Sequence, residues 1–482
     1  MSASFLQEPE LEFGQGKHID IRFGIANYKP LDYLDKLAPK TIPLGIVGTE
    51  KTISEFRTWM EQSAAGIPAK VSDQPNLFPA FPGFGPDSPF EATLVFDSRL
   101  ERQVSTRNLP AAVNRKDYNA FIKDLADAYI AEADAASEKG ASVVVCALPM
   151  EALNLIDPDD PAPEDAKEQE SEESLEQDFH DLLKARAMKI QRIKPIQLVL
   201  PTTYSENVKR RQRKKKNKDR KLQDPATRAW NFHTALYYKA GGAPWRLIRD
   251  EADLDCCFVG ISFYKTLDGS EVYTSSAQVF NERGQGVIVR GGPAKMAKDD
   301  RNVHMNGDGA YALLREALLA YKGEHKHMPA RVVIDKTSFF DDEESDGFIK
   351  AVKEREIDLY DMVYVSRSNI KLYRAGQYPP LRGTCLQIEE DTALLYTRGG
   401  VDFFQTYPGM YVPRALEVCA EDTDRSLRDL TAEVLSLTKM NWNNTEFDNS
   451  QPITIQASKR VGRILKYLDK DDRPNALYSY YM

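Results

Sequence analysis

Apolar runs and helical periods alternate through the first two hundred positions. PLGIVG (43–48) is a buried strand ending at Gly48, and TEKTISEFRTWMEQ after it carries apolar residues at helical spacing. ATLVFD (92–97) predicts a second strand, and RKDYNAFIKDLADAYIAEADAASEKG (115–140) predicts a long amphipathic helix closed by Gly140. ASVVVCALP (141–149) is an almost wholly apolar strand. Such runs belong to parallel strands covered on both faces. FHDLLKARAMK then predicts a helix and IQLVLP (196–201) another strand. This alternation predicts a Rossmann-like parallel sheet. The dinucleotide fingerprint G-x-G-x-x-G is absent, which argues against a nucleotide cofactor.

The second half has a different rhythm. TRAWNFHTALYYKAGG (227–242) predicts a helix stopped at Gly241–Gly242. DCCFVGISFYKTL, EVYTSSAQVFNERG and QGVIVRGG follow as three strand-like segments with glycine-containing turns, a meander. GAYALLREALLAYKGE predicts a helix and ARVVID (330–335) a strand, with further strands at YDMVYVSRS, TCLQIEE and TALLYTRG. Two helices close the chain, around SLRDLTAEVLSLTKM and ASKRVGRILKYLDK. Meander, helix, strand, helix is the order of a ribonuclease-H-like domain. The division predicted is therefore α/β followed by α/β. Residues 1–205 form a Rossmann-like domain with an N-terminal lead-in, and residues 206–482 form a ribonuclease-H-like one.

Composition adds charge to this picture. Of 482 residues, 42% are hydrophobic, enough for several buried cores. No run reaches the roughly 18 apolar residues that a membrane span requires. The opening MSASFLQEPELEFGQG has no basic region followed by an apolar core, so no secretory signal is expected. Five cysteines (146, 256, 257, 385 and 419) form no C-x-x-C pair, which points to a reducing cytoplasm without disulfides or zinc. The net charge of −9 argues at first against a nucleic-acid partner. Its distribution reverses that. Residues 157–178 hold eleven acids and one lysine, an acidic linker, while residues 209–221, KRRQRKKKNKDRK, hold ten bases and one aspartate. The two nearly cancel, and the basic block is dense enough for a phosphate-binding arm.

Four residues carry candidate chemistry. His180 and Lys184 are four apart on one predicted helix and share a face. Gln197 opens the next strand, and Lys239 lies near the end of the first helix of the second half. A terminal phosphate calls for convergent cations and amide donors, which this set supplies. Taken singly, each also has an ordinary structural reading.

At this point the chain resembles the short prokaryotic Argonautes, which keep only the MID and PIWI domains. The resemblance runs over nearly the whole sequence. Its signs are EPELEFGQG, GIVGTEK and FPAFPGFG near the start, and FHDLLKAR, PIQ and ALYYKAGGAPWRL in the middle. RVVIDKTSF, LRGT, LLYTRGG and LSLTKMNWNNTEF…QPITI continue it in the second half. It implies that His180, Lys184, Gln197 and Lys239 bind the 5′ phosphate of a guide strand. It further implies a Mg²⁺ ion held between the guide phosphates, Gln197 and the carboxylate of Met482, an all-oxygen site that suits this ion. Other basic and polar positions expected to hold the guide or target backbone are Arg367, Lys371, Arg374, Arg382, Lys439 and Asn441. Base pairing would read sequence, with the protein sensing backbone and duplex shape.

Cleavage by this fold needs clustered carboxylates holding two metals. The first acid should follow the glycine of the opening strand, where VGISFYK gives Ser262. The second should stand where cutting relatives have Arg-Asp-Gly, and this chain has Lys336-Thr337-Ser338. Asp335 is expected to face the opposite side of the sheet. Nothing after Asp471–Asp472 supplies a last ligand, and DDEES (341–345) reads as a solvated loop. The expectation is no cleavage. By resemblance the chain would load guide RNA, recognise target DNA and switch on a partner carrying an APAZ region. That partner would be fused to a TIR, sirtuin-type or nuclease effector and oligomerise on activation, in defence against phage or plasmids. Two rivals remain: a nuclease with displaced acids, such as Asp335 with Asp341 or Glu343, and a scaffold whose basic arm binds nucleic acid nonspecifically.

Overall fold

The structure, a computed structural model, describes the chain except residues 108, 111–112, 115, 157–177, 206–222, 249–253, 280–285, 297–301, 374–375, 377–378 and 410–411. The acidic linker (apart from Asp178), the basic arm and Arg374 lie outside the described residues.

The first half is built on parallel strands. Thr41–Gly48 is central, with Thr93–Val95 and Glu101–Gln103 on one side and Val143–Ala147, then Ile196–Val199, on the other. Val143, Val145 and Ala147 share a core with Phe56 and Trp59 of the helix Glu50–Ala64. Val144 and Cys146 share another with Ile122, Ala126 and Tyr129 of the helix Tyr118–Glu138. Alternate residues thus bury on alternate faces, both of them covered, and this is why the run is apolar throughout. The arrangement is the Rossmann-like one that the alternation predicts.

The second half forms a ten-stranded sheet. Cys256–Lys265 continues into Val272–Val279 and Val287–Met296 as an antiparallel meander, with Val303–Met305 at the edge. On its other side Arg331–Lys336 and Leu359–Arg367 run parallel to it, each preceded by a helix, Gly307–His325 and Asp342–Glu354. Leu416–Asp422, Thr392–Leu395 and Thr384–Gln387 extend the sheet antiparallel. This is a ribonuclease-H-like core.

The structure departs from the sequence reading in three places. Ser2–Phe5 does not stay with the first half: it pairs with Thr384–Gln387 at the far edge of the ten-stranded sheet. Leu11–Phe13 and Gly16–His18 likewise share a small sheet with Arg246–Leu247. DDEES is not a solvated loop but the start of Asp342–Glu354. Asp341 and Glu344 accept each other's backbone N–H in a capping box, and Glu344 is fully buried.

The largest core cluster passes through both halves, joining Phe56 and Phe81 to Trp230, Trp245, Trp442 and Val461. The candidate site lies on this seam. No described helix is long and apolar enough to cross a membrane.

A candidate phosphate pocket at the seam

Three short elements converge. The helix Phe179–Met188 is capped by Asp178, whose carboxylate accepts from the Asp181 N–H. It carries His180 and Asp181 in its first turn and Lys184 in the next. The strand Ile196–Val199 brings Gln197 alongside. The helix Pro225–Lys239 ends in Lys239, and the turn beyond it needs the left-handed backbone that Gly241 adopts at φ +98°.

The structure brings the four predicted residues together. Lys239 Nζ donates to Gln197 Oε1 at 2.5 Å and to Asn443 Oδ1 at 3.1 Å. Lys184 Nζ donates to the carbonyl of Ile196, the residue before Gln197. His180 sits one turn from Lys184, and its Nδ1 lies 3.1 Å from Asp181 Oδ1.

Lys184 and Lys239 are only 1% and 4% exposed. Burial, reinforced by the charge of Arg460, pushes the Lys184 ammonium down to about 7. Lys239 falls well below the usual lysine range through burial, then through Lys184 and Arg460. Burial also lowers His180, against the pull of Asp181. Burial resists ionising Asp181, yet the hydrogen bond from His180 and the charges of Arg463 and Arg460 hold its carboxyl below the usual range. Cations that repel one another in a buried place raise the free energy of the empty pocket. An entering anion removes that cost, so the arrangement is suited to a phosphate.

Arg460, on the helix Ile453–Leu465, and Asn443 were not anticipated. The run SKRVGR offered basic residues at helical spacing, but nothing in it marks the one that faces the other half. Asn443 stood two residues beyond a position that was singled out.

The remaining predicted contacts divide. Arg367, at the end of Leu359–Arg367, donates to Ser450 Oγ at 3.1 Å and stays partly exposed. Lys371 is exposed. Arg382 and Lys439 are corrected: both are buried and point inward. Arg382 donates to Glu8 Oε2 at 2.9 Å, Thr438 Oγ1 at 2.9 Å, Leu435 O at 3.3 Å and the Thr397 carbonyl. Lys439 spends its three donors on Glu8 Oε1 at 2.8 Å, Pro9 O at 2.8 Å and Ile19 O at 2.5 Å. Asn441 is buried too, its Oδ1 accepting from the Asn443 N–H at 3.0 Å.

At the centre of the ten-stranded sheet, Ser262 is buried and hydrogen-bonded to Ser275 at 2.9 Å. The orientation expected for Asp335 is corrected. In register with Gly260, it points to the same face as Ser262, where Thr454 Oγ1 donates to its Oδ2 at 2.6 Å. Lys336 takes the opposite face and meets Glu344 at 2.6 Å. Burial pushes the Asp335 carboxyl up to about 7, and its Oδ1 has no hydrogen-bond partner among the described residues. Asp341, which caps the helix bearing Glu344, lies on the Lys336 side of the sheet. The displaced pair Asp335–Asp341 is therefore separated by the sheet itself.

For Mg²⁺ the donor types fit. Gln197 Oε1 has given one lone pair to Lys239 and keeps a second, and a carboxylate at residue 482 would be a hard oxygen donor of the kind this ion takes. Met482 is 2% exposed, and the preceding turn Tyr478–Tyr480 packs on Pro225–Lys239. Two other groups of described residues have ligand-like spacing, Asp178–His180–Asp181 and His304–Asp341–Glu344. In the second, the Lys336 ammonium already occupies Glu344.

No family model matches the chain, and no curated protein is significantly similar to it. Solved structures do match it in fold. Clostridium butyricum Argonaute, bound to a guide DNA and a 19-mer target DNA, aligns at TM-score 0.60 and 16% identity over 99% of this chain and 54% of that one. Drosophila Piwi aligns at 0.60 and 13% identity, over 99% and 56%. Marinitoga piezophila Argonaute, in complex with a 5′ OH guide RNA, aligns at 0.57 and 12% identity, over 100% and 59%. The chain spans little more than half the length of these proteins. The likeness shows an Argonaute-like fold, equivalent to the MID and PIWI portions, covering the whole chain.

Proposed function

We propose that this chain holds a short guide strand by its 5′ phosphate, the guide being RNA, and recognises a complementary single-stranded DNA target without cutting it. The observation that carries the reading is the buried pair Lys184 and Lys239 beside Gln197, with the charge of Arg460 acting on both, an arrangement suited to an anion. The fold supports it, since Argonautes of this architecture are seen with guide and target strands. Gln197 and the Met482 carboxylate would hold Mg²⁺ against the guide phosphates, neutralising charge that the lysines do not reach. Arg367 and Lys371 would meet the backbone beyond. The same reading includes a second protein, an APAZ-containing effector of TIR, sirtuin-type or nuclease kind. Target recognition would activate that partner, with oligomerisation, as cytoplasmic defence against phage or plasmids.

The direct test is recovery of copurifying nucleic acid from wild type and from a Lys184→Ala/Lys239→Ala variant, each coexpressed with its neighbouring gene's product. Short 5′-phosphorylated RNAs in wild type, lost in the variant, are expected. Heterogeneous nucleic acid unchanged in the variant would refute the pocket. The absence of cutting is tested by incubating the loaded protein with matched target and Mn²⁺. The burial of Ser262 and Asp335 beneath the helix Ile453–Leu465 supports an intact target, and cleavage at a fixed distance from the guide's 5′ end would overturn that part.

A further inference from the structure

We propose that Asn443 is a direct ligand of the guide's 5′ phosphate, contributed by the second half of the chain, and that Asn441 is the positioning residue that holds it there. This rests on the guide-binding reading above and adds a residue to the same pocket.

The first reason is the company Lys239 keeps. Its ammonium is bracketed by two carboxamides, Gln197 Oε1 at 2.5 Å and Asn443 Oδ1 at 3.1 Å. Both are neutral, so neither discharges the lysine. A carboxamide also carries two N–H donors beside its oxygen. An anion attracted to Lys239 arrives between the two amides and takes N–H donation from both. Gln197 and Asn443 therefore stand in equivalent relation to the ligand, one from each half of the chain.

The second reason is rigidity. Asn443 ends a segment whose preceding side chains are all fixed. The Trp442 indole donates to Trp245 O at 3.1 Å, and its ring stacks on Tyr238 at 5.4 Å and 15°. The Trp245 indole donates back to Lys439 O at 3.0 Å. Lys439 is tied to Glu8, Pro9 and Ile19. Asn441, 3% exposed, accepts from the Asn443 N–H. A side chain presented from such a frame loses little freedom on binding, which favours a ligand role. Asn441 itself is spent on this turn and faces away from solvent. Asn443 remains partly exposed.

The test compares the full-length protein's affinity for one short RNA carrying either a 5′ phosphate or a 5′ hydroxyl. Asn443→Ala is expected to weaken the phosphorylated guide about tenfold and leave the hydroxyl guide unchanged, the loss of one hydrogen bond to a charged group. Asn443→Asp, which keeps the acceptor for Lys239 but has no N–H to give, should lose the discrimination as well. Asn441→Ala should reduce it, and Asn441→Asp, which retains the acceptor for the Asn443 N–H, should restore it. An Asn443→Ala variant with undiminished discrimination, while Lys184→Ala abolishes it, overturns the role of Asn443 and leaves the pocket standing. Equal weakening of both guides by Asn443→Ala makes the residue structural and also overturns it. No discrimination in wild type would sink the guide-pocket reading itself.

Discussion

Two groups of buried cations in this protein look alike in the sequence and behave oppositely in the structure. Arg382 and Lys439 surround Glu8, and their donors go to it and to backbone carbonyls and hydroxyls. Glu8, although burial resists its ionisation, is held below the usual carboxylate range by those two charges. Lys184, Lys239 and Arg460 lie near one buried acid, Asp181, but its hydrogen bond comes from His180 and neither lysine bonds it. Their lysines donate to a carbonyl and to amide oxygens, and they depress one another. The first group bonds its acid directly; the lysines of the second bond only neutral oxygens. Burial and charge are common to both, so the nature of the hydrogen-bond partner is what separates a clamp from a receptor.

The comparison breaks most visibly at Glu8. Glu8→Gln leaves two buried cations without their counter-charge and should destabilise the protein by about 3–5 kcal/mol, the usual cost of removing one partner of a buried pair. Urea or thermal unfolding of wild type and variant measures this. A variant as stable as wild type would mean that the clamp is not what fastens the N-terminal lead-in to the ten-stranded sheet.

The same substitution logic should reverse in the pocket. Lys184→Met keeps the aliphatic stem and deletes the charge, so unfolding should show no loss of stability comparable with that of Glu8→Gln. Affinity for a 5′-phosphorylated guide should fall about ten- to a hundredfold, as for a hydrogen bond to a charged group. Destabilisation without a change in guide affinity would place Lys184 with the clamp and remove the contrast.

What the sequence made legible follows the same division. The parallel strands of the first half were readable because Val143–Ala147 is buried on both faces. The meander was readable from its turns. Ser2–Phe5, Val303–Met305 and Leu416–Asp422 escaped, because strands with mixed burial carry little periodicity, and the partner of Ser2–Phe5 lies far away in the chain. His180, Lys184, Gln197 and Lys239 could be named together only through a resemblance, since no local pattern distinguishes Lys239 from Lys439. Arg460, Asn443 and the inward turn of Arg382 depend on contacts with residues far away in the chain. Asp335 was turned the wrong way because its side follows from its register with Gly260, which the spacing of residues within one strand does not give.

The smallest effect, and the one that tests the electrostatics directly, is the response to pH. Lys184 titrates near 7 in the free pocket because burial and Arg460 oppose its charge. A bound phosphate favours the charged form, so binding takes up protons wherever the free lysine is neutral. Affinity for a phosphorylated guide should therefore decline as pH rises from 7 to 9, by at most about tenfold per pH unit for each lysine that must gain a proton. A 5′-hydroxyl guide should show a flatter profile, and Lys184→Met should flatten the phosphorylated one. Stability has the opposite sign. A lysine whose folded pKa lies below its unfolded value binds fewer protons in the folded state between about 7 and 10.5, so the free protein should gain stability across that window and Lys184→Met should gain less. The clamp predicts no comparable pH dependence of guide affinity, because Lys439, at about 8, has its charge matched by Glu8 and no ligand to receive. Parallel pH profiles for phosphorylated and hydroxyl guides would show that the pocket lysines are not what distinguishes them.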